Sequence, residues 1–206
     1  MRIGLAANRL HHDAPDSALF RLLREIEPRL RDTLRPTLLI VGRTCDAIER
    51  EGLLAGYESI ERLPYGREGG LMRLVARAVD PDPEAAIDMA IYLIDPTDPS
   101  STFPEAVALK RQCIIHGKPF VSTLLGAREW FELRAVAAGA APDPALDPLF
   151  EFDSQSIALV AHDARKQEMI ELVRAHFELF DRFASRVATG TTGGLLNGLA
   201  RELRPD

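Results

Sequence analysis

The sequence predicts a doubly wound α/β fold with a mainly parallel sheet, followed by a partial second repeat of the same fold. Three observations carry that expectation. Short apolar runs alternate with helix-patterned segments from the first residues to about Val136. A Pro-rich, acidic stretch then breaks the pattern. Finally, the alternation restarts with residues that echo the opening ones. Strand and helix in strict alternation imply right-handed crossovers and a parallel sheet covered by helices on both faces.

The elements follow in order. "RIGLAA" reads as a buried strand, and "SALFRLLREIEPRLRD" as the helix after it. Leu19, Leu22, Leu23, Ile26 and Leu30 recur there at helical spacing, with Ser17 placed to cap the helix. "PTLLIVG" runs into "TCDAIEREGLL", and "IERLPYGREGG" into "LMRLVARAVD". "IDMAIYLIDP" leads to "TFPEAVALKRQCIIHG", and "KPFVST" to "LLGAREWFELRAVAAG". Trp130 and Phe131 are expected to pack the last of these helices on the sheet, and His116 to sit at a helix end. His11 and His176 have no visible partner in the sequence.

Residues 137–156 read as a linker, which leaves a complete domain at 1–136. In residues 157–206, "SIALVAHD" and "RVATG" read as strands, each opening into a helix. Ile3 corresponds to Ile157, Leu5 to Leu159 and Gly42 to Gly190, the mark of an internal duplication. The second copy holds only two strands, too few to be stable alone. It is therefore expected to dock on the first domain or on another chain, or to belong to a longer protein.

Composition narrows the class. The chain has 206 residues, 46% hydrophobic content, a net charge of −6 and a pI near 5.4. That balance lacks the basic face that nucleic acid demands. Cys45 and Cys113 show neither disulfide nor metal spacing, which suits a reducing compartment. No secretory pattern opens the chain, and the apolar run "AIYLI" is far short of the about 20 residues that span a bilayer. The expectation is a soluble cytoplasmic protein with no membrane or nucleic-acid partner, no metal and no cofactor.

In a doubly wound sheet, ligands bind beyond the carboxyl ends of the strands. The segments to watch are Asn8–His12, Gly42–Thr44, Tyr65–Leu71, Asp95–Thr102 and Ser122–Thr123. In the second copy "ATGTTGG" places Gly190 at the opening of a helix, where free amides and the helix dipole favour an anion. Thr189, Thr191 and Thr192 add hydroxyls. No P-loop lysine follows, so a nucleoside triphosphate does not fit. A threonine cap after a strand explains the same residues equally well. In "VAHDARKQ", His162, Asp163 and Lys166 lie at a strand end, with Asp163 and Lys166 spaced to face one ligand.

"IALVAHDARKQ" followed by "ATGTTGGLL" resembles the opening of the methylglyoxal synthase family. The resemblance implies that Asp163, Lys166, Thr189, Gly190, Thr191 and Thr192 hold the phosphate of dihydroxyacetone phosphate or line its pocket, with His162 beside it. It also implies a homo-oligomer. The family's later elements have counterparts only in the first copy. Its Gly-Gly-Asp motif, whose aspartate removes a proton α to the carbonyl, resembles "EGGLM", with Leu71 at the base position. Its Asp-Pro matches Asp95 and Pro96, while its histidine falls at Thr102 and its next acid at Glu105. Arg9 and His12 stand where the second copy has Asp163 and Lys166, and "VGRT" at 41–44 replaces "TGTT".

Asp163 and Asp95 are thus the candidate catalytic carboxylates, and no residue of the chain completes the Gly-Gly-Asp motif. In the family, proton abstraction gives an enediolate that expels phosphate, and tautomerisation yields methylglyoxal. The resemblance implies this carbon–oxygen lyase activity, with dihydroxyacetone phosphate or inorganic phosphate as ligand. The missing base predicts weak turnover or none. The alternative is a catalytically silent, anion-sensing module of the same fold, for which Arg9, Arg43 and His12 offer cationic groups.

Overall fold

The computed structural model describes residues 1–204, in two compact units that divide between Pro142 and Asp143. The first is built on β1 (Arg2–Ala7), α1 (Ala18–Pro28), β2 (Thr37–Val41), α2 (Gly42–Arg50) and β3 (Ile60–Leu63). It continues with α3 (Gly70–Ala78), β4 (Met89–Leu93), α4 (Pro104–Ile115), β5 (Phe120–Val121) and α5 (Leu124–Ala137). The five strands are all parallel, in the order β3-β2-β1-β4-β5. The chain therefore moves outward from β1 on one side, then crosses to the other side for β4. The point where the order reverses, between β1 and β4, is where such sheets open a crevice.

Both faces of this sheet are buried, which is why its strands are apolar without alternation. On one face Ile3, Leu5, Leu38, Ile40, Met89 and Ile91 pack against α1, α2 and α5, with Phe20 and Phe131 fully enclosed. The leucines at helical spacing in α1 are the residues that make this contact, and the Ser17 hydroxyl caps α1 by accepting from the Phe20 amide at 3.4 Å. On the other face Ala6, Leu39, Val41, Ala90 and Tyr92 meet Leu74 of α3 and Leu109 of α4. Glycine is required where α3 begins. A Cβ on Gly70 would stand 2.1 Å from the Pro64 carbonyl oxygen. Gly69 before it adopts φ +86°. Trp130 is partly buried against the first core, edge-on to Phe131 with ring centroids 5.2 Å apart.

The second unit contains 3-10 turns at Pro144–Leu149 and Phe152–Ser154, inside the stretch whose composition reads as a linker. It then forms β6 (Ser156–Leu159), α6 (Lys166–Ala175), α7 (Phe177–Asp181), β7 (Ser185–Ala188) and α8 (Gly190–Leu203). β6 and β7 pair in parallel, Ile157 with Arg186 and Leu159 with Ala188. Leu159, Val173 and Leu199 form a small core, to which Ile157, Met169, Ile170, Phe180 and Leu196 add partly buried surface. No helix among the described residues is long and apolar enough to cross a membrane.

Candidate functional site

In the second unit β6 and β7 deliver their carboxyl ends side by side, so the loops after them meet. His162 caps a 3-10 turn at Asp163–Arg165, its Nδ1 accepting from the Ala164 amide at 3.4 Å. That turn runs straight into α6, whose first residue is Lys166. The Lys166 ammonium is largely enclosed, donates to Thr191 Oγ1 and forms an ion pair with Asp163. Lys166 thereby holds the Asp163 carboxyl below its ordinary range, although Asp163 itself is almost fully exposed.

Thr189 sits at the head of α8 in an extended conformation, but its hydroxyl does not cap the helix. It donates instead to Thr192 Oγ1 at 3.4 Å, and Thr192 is fully buried. The amides of the first α8 turn are consequently left without a side-chain cap. The sequence-predicted residues Asp163, Lys166, Thr189, Gly190, Thr191 and Thr192 are brought to one place, with His162 at its margin. An ammonium, exposed amides at a positive helix end and hydroxyl groups form a set suited to an oxyanion. A groove of about 680 Å³ in the same unit lies between β7, α7 and α8, and none of these residues lines it.

In the first unit a cleft of about 730 Å³ opens at the carboxyl ends of β1, β2 and β4. Asn8 builds its floor. Its amide donates to the Leu93 carbonyl at 2.8 Å, and its Nδ2 reaches the Ser100 and Ser101 hydroxyls, each at 3.0 Å. Thr44 Oγ1 accepts from the Ala7 amide at 3.1 Å and lies 3.2 Å from His12 Nε2. Burial depresses the His12 imidazole to about 4, so it is neutral at physiological pH. Arg9, Arg43 and Arg67 line the opening together with Tyr65, Leu71, Tyr92, Phe103, Asp46 and Glu105.

The carboxylates expected in this region are placed differently from one another. Asp95 is buried outside the cleft lining, and its Oδ1 accepts from the Thr97 amide at 2.9 Å and the Thr97 hydroxyl at 2.8 Å. That is an Asx turn, the alternative an Asp-Pro pair always carries. Its Oδ2 is buried without a hydrogen bond. Glu105 reaches the cleft in the first turn of α4. Thr102, at the position of the family histidine, turns its hydroxyl to the Pro99 carbonyl. Ser122 and Thr123 do not line the cleft, and Thr123 caps α5 by accepting from the Gly126 amide at 3.2 Å. His11, without a partner in the sequence, donates from Nε2 to the Ile94 carbonyl at 3.1 Å. Tyr92, Phe103 and Asp46 line the cleft but lie outside the segments that the sequence singles out. Tyr92 has a readable signal, since it shares a strand face with Ala90 close to the carboxyl end of β4.

These features define a class, a doubly wound α/β protein with a crevice at its topological reversal. No family model matches the chain. The methylglyoxal synthase of Ralstonia nicotianae is 32% identical over 112 residues, covering 54% of this chain and 74% of that protein. Methylglyoxal synthases of Brucella ovis and Brucella suis are 52% identical over 40 residues, 19% of this chain. The chain spans only 31% of the length of these Brucella relatives. The crystal structure of methylglyoxal synthase from Elizabethkingia anophelis superposes with a TM-score of 0.48 at 22% identity, covering 73% of this chain and 90% of that one. The chain belongs to the methylglyoxal synthase family.

Proposed function

We propose that the second unit binds the phosphate group of a small phosphorylated metabolite, with dihydroxyacetone phosphate as the ligand the family suggests. The observation that carries this reading is the convergence of Lys166, Thr191 and the uncapped head of α8 at Gly190. In this role Lys166 supplies charge, the α8 amides and Thr191 supply directed donors, and Asp163 orients the lysine. An anion entering this corner takes over the ammonium from Thr191 and Asp163. Inorganic phosphate shares the same chemistry, and assembly into a homo-oligomer follows from the same family reading.

Elimination of phosphate needs a base at the carbon next to the carbonyl. Leu71, at the position the resemblance assigns to that base, has no proton acceptor. Asp163 is a poor substitute because its charged form is stabilised by Lys166. This chemistry supports phosphate recognition more strongly than turnover, and it favours the silent, anion-sensing module as the second reading.

The test is calorimetric titration with dihydroxyacetone phosphate and inorganic phosphate, beside an assay for methylglyoxal. Binding is expected, and Lys166→Met should weaken it at least about tenfold, the scale of one hydrogen bond to a charged group. Methylglyoxal formation at an ordinary enzymatic rate would refute the importance of the missing base. Absence of phosphate binding would refute the cradle itself.

A further inference from the structure

We propose that the cleft of the first unit is a separate, non-catalytic site for a small organic monocarboxylate with an apolar or aromatic body. The cleft lies at the sheet reversal and carries its own cations. Arg9 is held at 2.8 Å by Asp98, and Arg67 stands 3.7 Å from Glu68. Arg43 projects from the first turn of α2, and among the described residues its guanidinium has no hydrogen bond and no ion pair within 4.0 Å, although after Arg62 it helps to hold the Asp46 carboxyl below its ordinary range. It is the one cleft cation among the described residues left to meet a ligand, beside the positive end of α2.

The site differs from a phosphate cradle in three ways. The Thr44 hydroxyl is already engaged by Ala7 and His12. The Gly42 amide, first in α2, donates to the Pro64 carbonyl at 3.2 Å, so one donor of that helix head is already taken. His12, at the position of Lys166, is neutral and adds no charge. What remains is a side-chain guanidinium, whose planar fork matches a carboxylate. Glu105 at the rim opposes a second negative charge, while Asp46 is neutralised by its ion pair with Arg62. The balance suits one anionic group rather than a dianion. Beyond it lies the largely exposed ring of Phe103, a surface for the ligand's apolar body, while Tyr92 is buried behind it and the Tyr65 ring already carries the Arg62 and Arg67 guanidinium groups, 5.6 and 5.9 Å from its centroid. Leu71 in the wall offers no proton acceptor at the position that the resemblance assigns to the base.

The experiment titrates the full chain with benzoate, acetate and inorganic phosphate by calorimetry, with chemical-shift mapping to locate each. Benzoate is expected to saturate a site in the first unit, with acetate at least about tenfold weaker for want of a body to bury. Arg43→Gln should weaken benzoate at least about tenfold. Phe103→Ala should weaken benzoate and leave acetate unchanged. Both residues are exposed, so an unaltered thermal midpoint verifies that each variant is folded. Lys166→Met should leave benzoate binding intact, which separates this site from the phosphate cradle of the second unit. Failure of benzoate to saturate, indifference to Arg43→Gln, or displacement of benzoate by phosphate at equal concentration would each overturn the proposal.

Discussion

Both units open strand–helix–strand–helix, and they put that order to opposite uses. In the first, β1 and β2 are buried and flanked on both edges, whereas in the second β7 is exposed at every residue. The corresponding loop residues diverge accordingly. Neither α2 nor α8 has a side-chain cap, but Thr44 and the Gly42 amide are tied to neighbouring segments, while Thr192 is engaged only by Thr189 of its own loop. His12 is buried and neutral, and its counterpart Lys166 is charged and paired with Asp163. A loop that looks like a ligand cradle in sequence keeps its donors free only where its neighbours do not claim them.

A matched pair of truncations should separate the two units most widely. Leu39 is 0% exposed and its counterpart Val187 is 53% exposed. Leu39→Ala should cost about 2–5 kcal/mol, as buried leucines do. Val187→Ala should stay within about 0.5 kcal/mol. Denaturant unfolding followed by hydrogen exchange in each unit reads both, and a large cost at Val187 would show that this strand face is covered.

Next in size is the protonation of His12. Its folded value near 4 lies below the ordinary 6.5, so the unfolded chain binds the proton more readily. Stability from the neutral imidazole is complete above pH 6.5 and is lost as the pH falls through that window toward 4. After allowance for screening, the loss should be about 2 kcal/mol. Unfolding free energies of the parent and His12→Gln between pH 7 and 4 test this, as the variant should show a flatter profile. An identical profile would mean that the imidazole is not shielded.

A smaller effect separates the two helix-opening glycines. A Cβ on Gly42 would meet the Leu63 carbonyl, the Tyr65 ring and the Tyr65 amide, each at 3.1 Å. Gly42→Ala should therefore cost about 1–2 kcal/mol. Gly190 has nothing within 4 Å, so Gly190→Ala should change stability by less than about 0.5 kcal/mol. The same denaturant curves decide it. Equal costs would remove the packing distinction between the two loops.

Part of this difference is legible in the amino-acid sequence. Alternating apolar runs mark the strands, and helical spacing in α1 identifies the core-facing leucines, because both patterns report burial directly. The pairing of Asp163 with Lys166 follows from their spacing on one turn. The fate of individual donors is not legible in the same way. Thr44 and Thr192 stand at corresponding positions, yet one is tied to Ala7 and His12 and the other to Thr189. The partners of Thr44 come from another strand and another turn, so no local pattern encodes them. Asp95 shows the same limit, since an Asx turn and a cleft carboxylate share one dipeptide. Phe103 reaches the cleft from a helix cap, a position that periodicity assigns to packing, whereas Tyr92 is marked by its place near the carboxyl end of β4.

The smallest expected effect concerns Asp163 and separates two roles for that carboxylate. If Asp163 is a counter-ion for Lys166, neutralising it frees the ammonium and removes a charge that repels phosphate. Asp163→Asn should then tighten phosphate binding, by under about fivefold given how little an exposed pair contributes. If Asp163 itself touches the ligand or acts as the base, the same variant weakens binding or abolishes whatever turnover exists. Calorimetry at low salt, where exposed charges act most strongly, distinguishes the signs. Raising the salt should shrink the gain, since the Asp163 carboxylate lies in solvent, whereas weakening that arises inside an enclosed site would persist at every salt concentration.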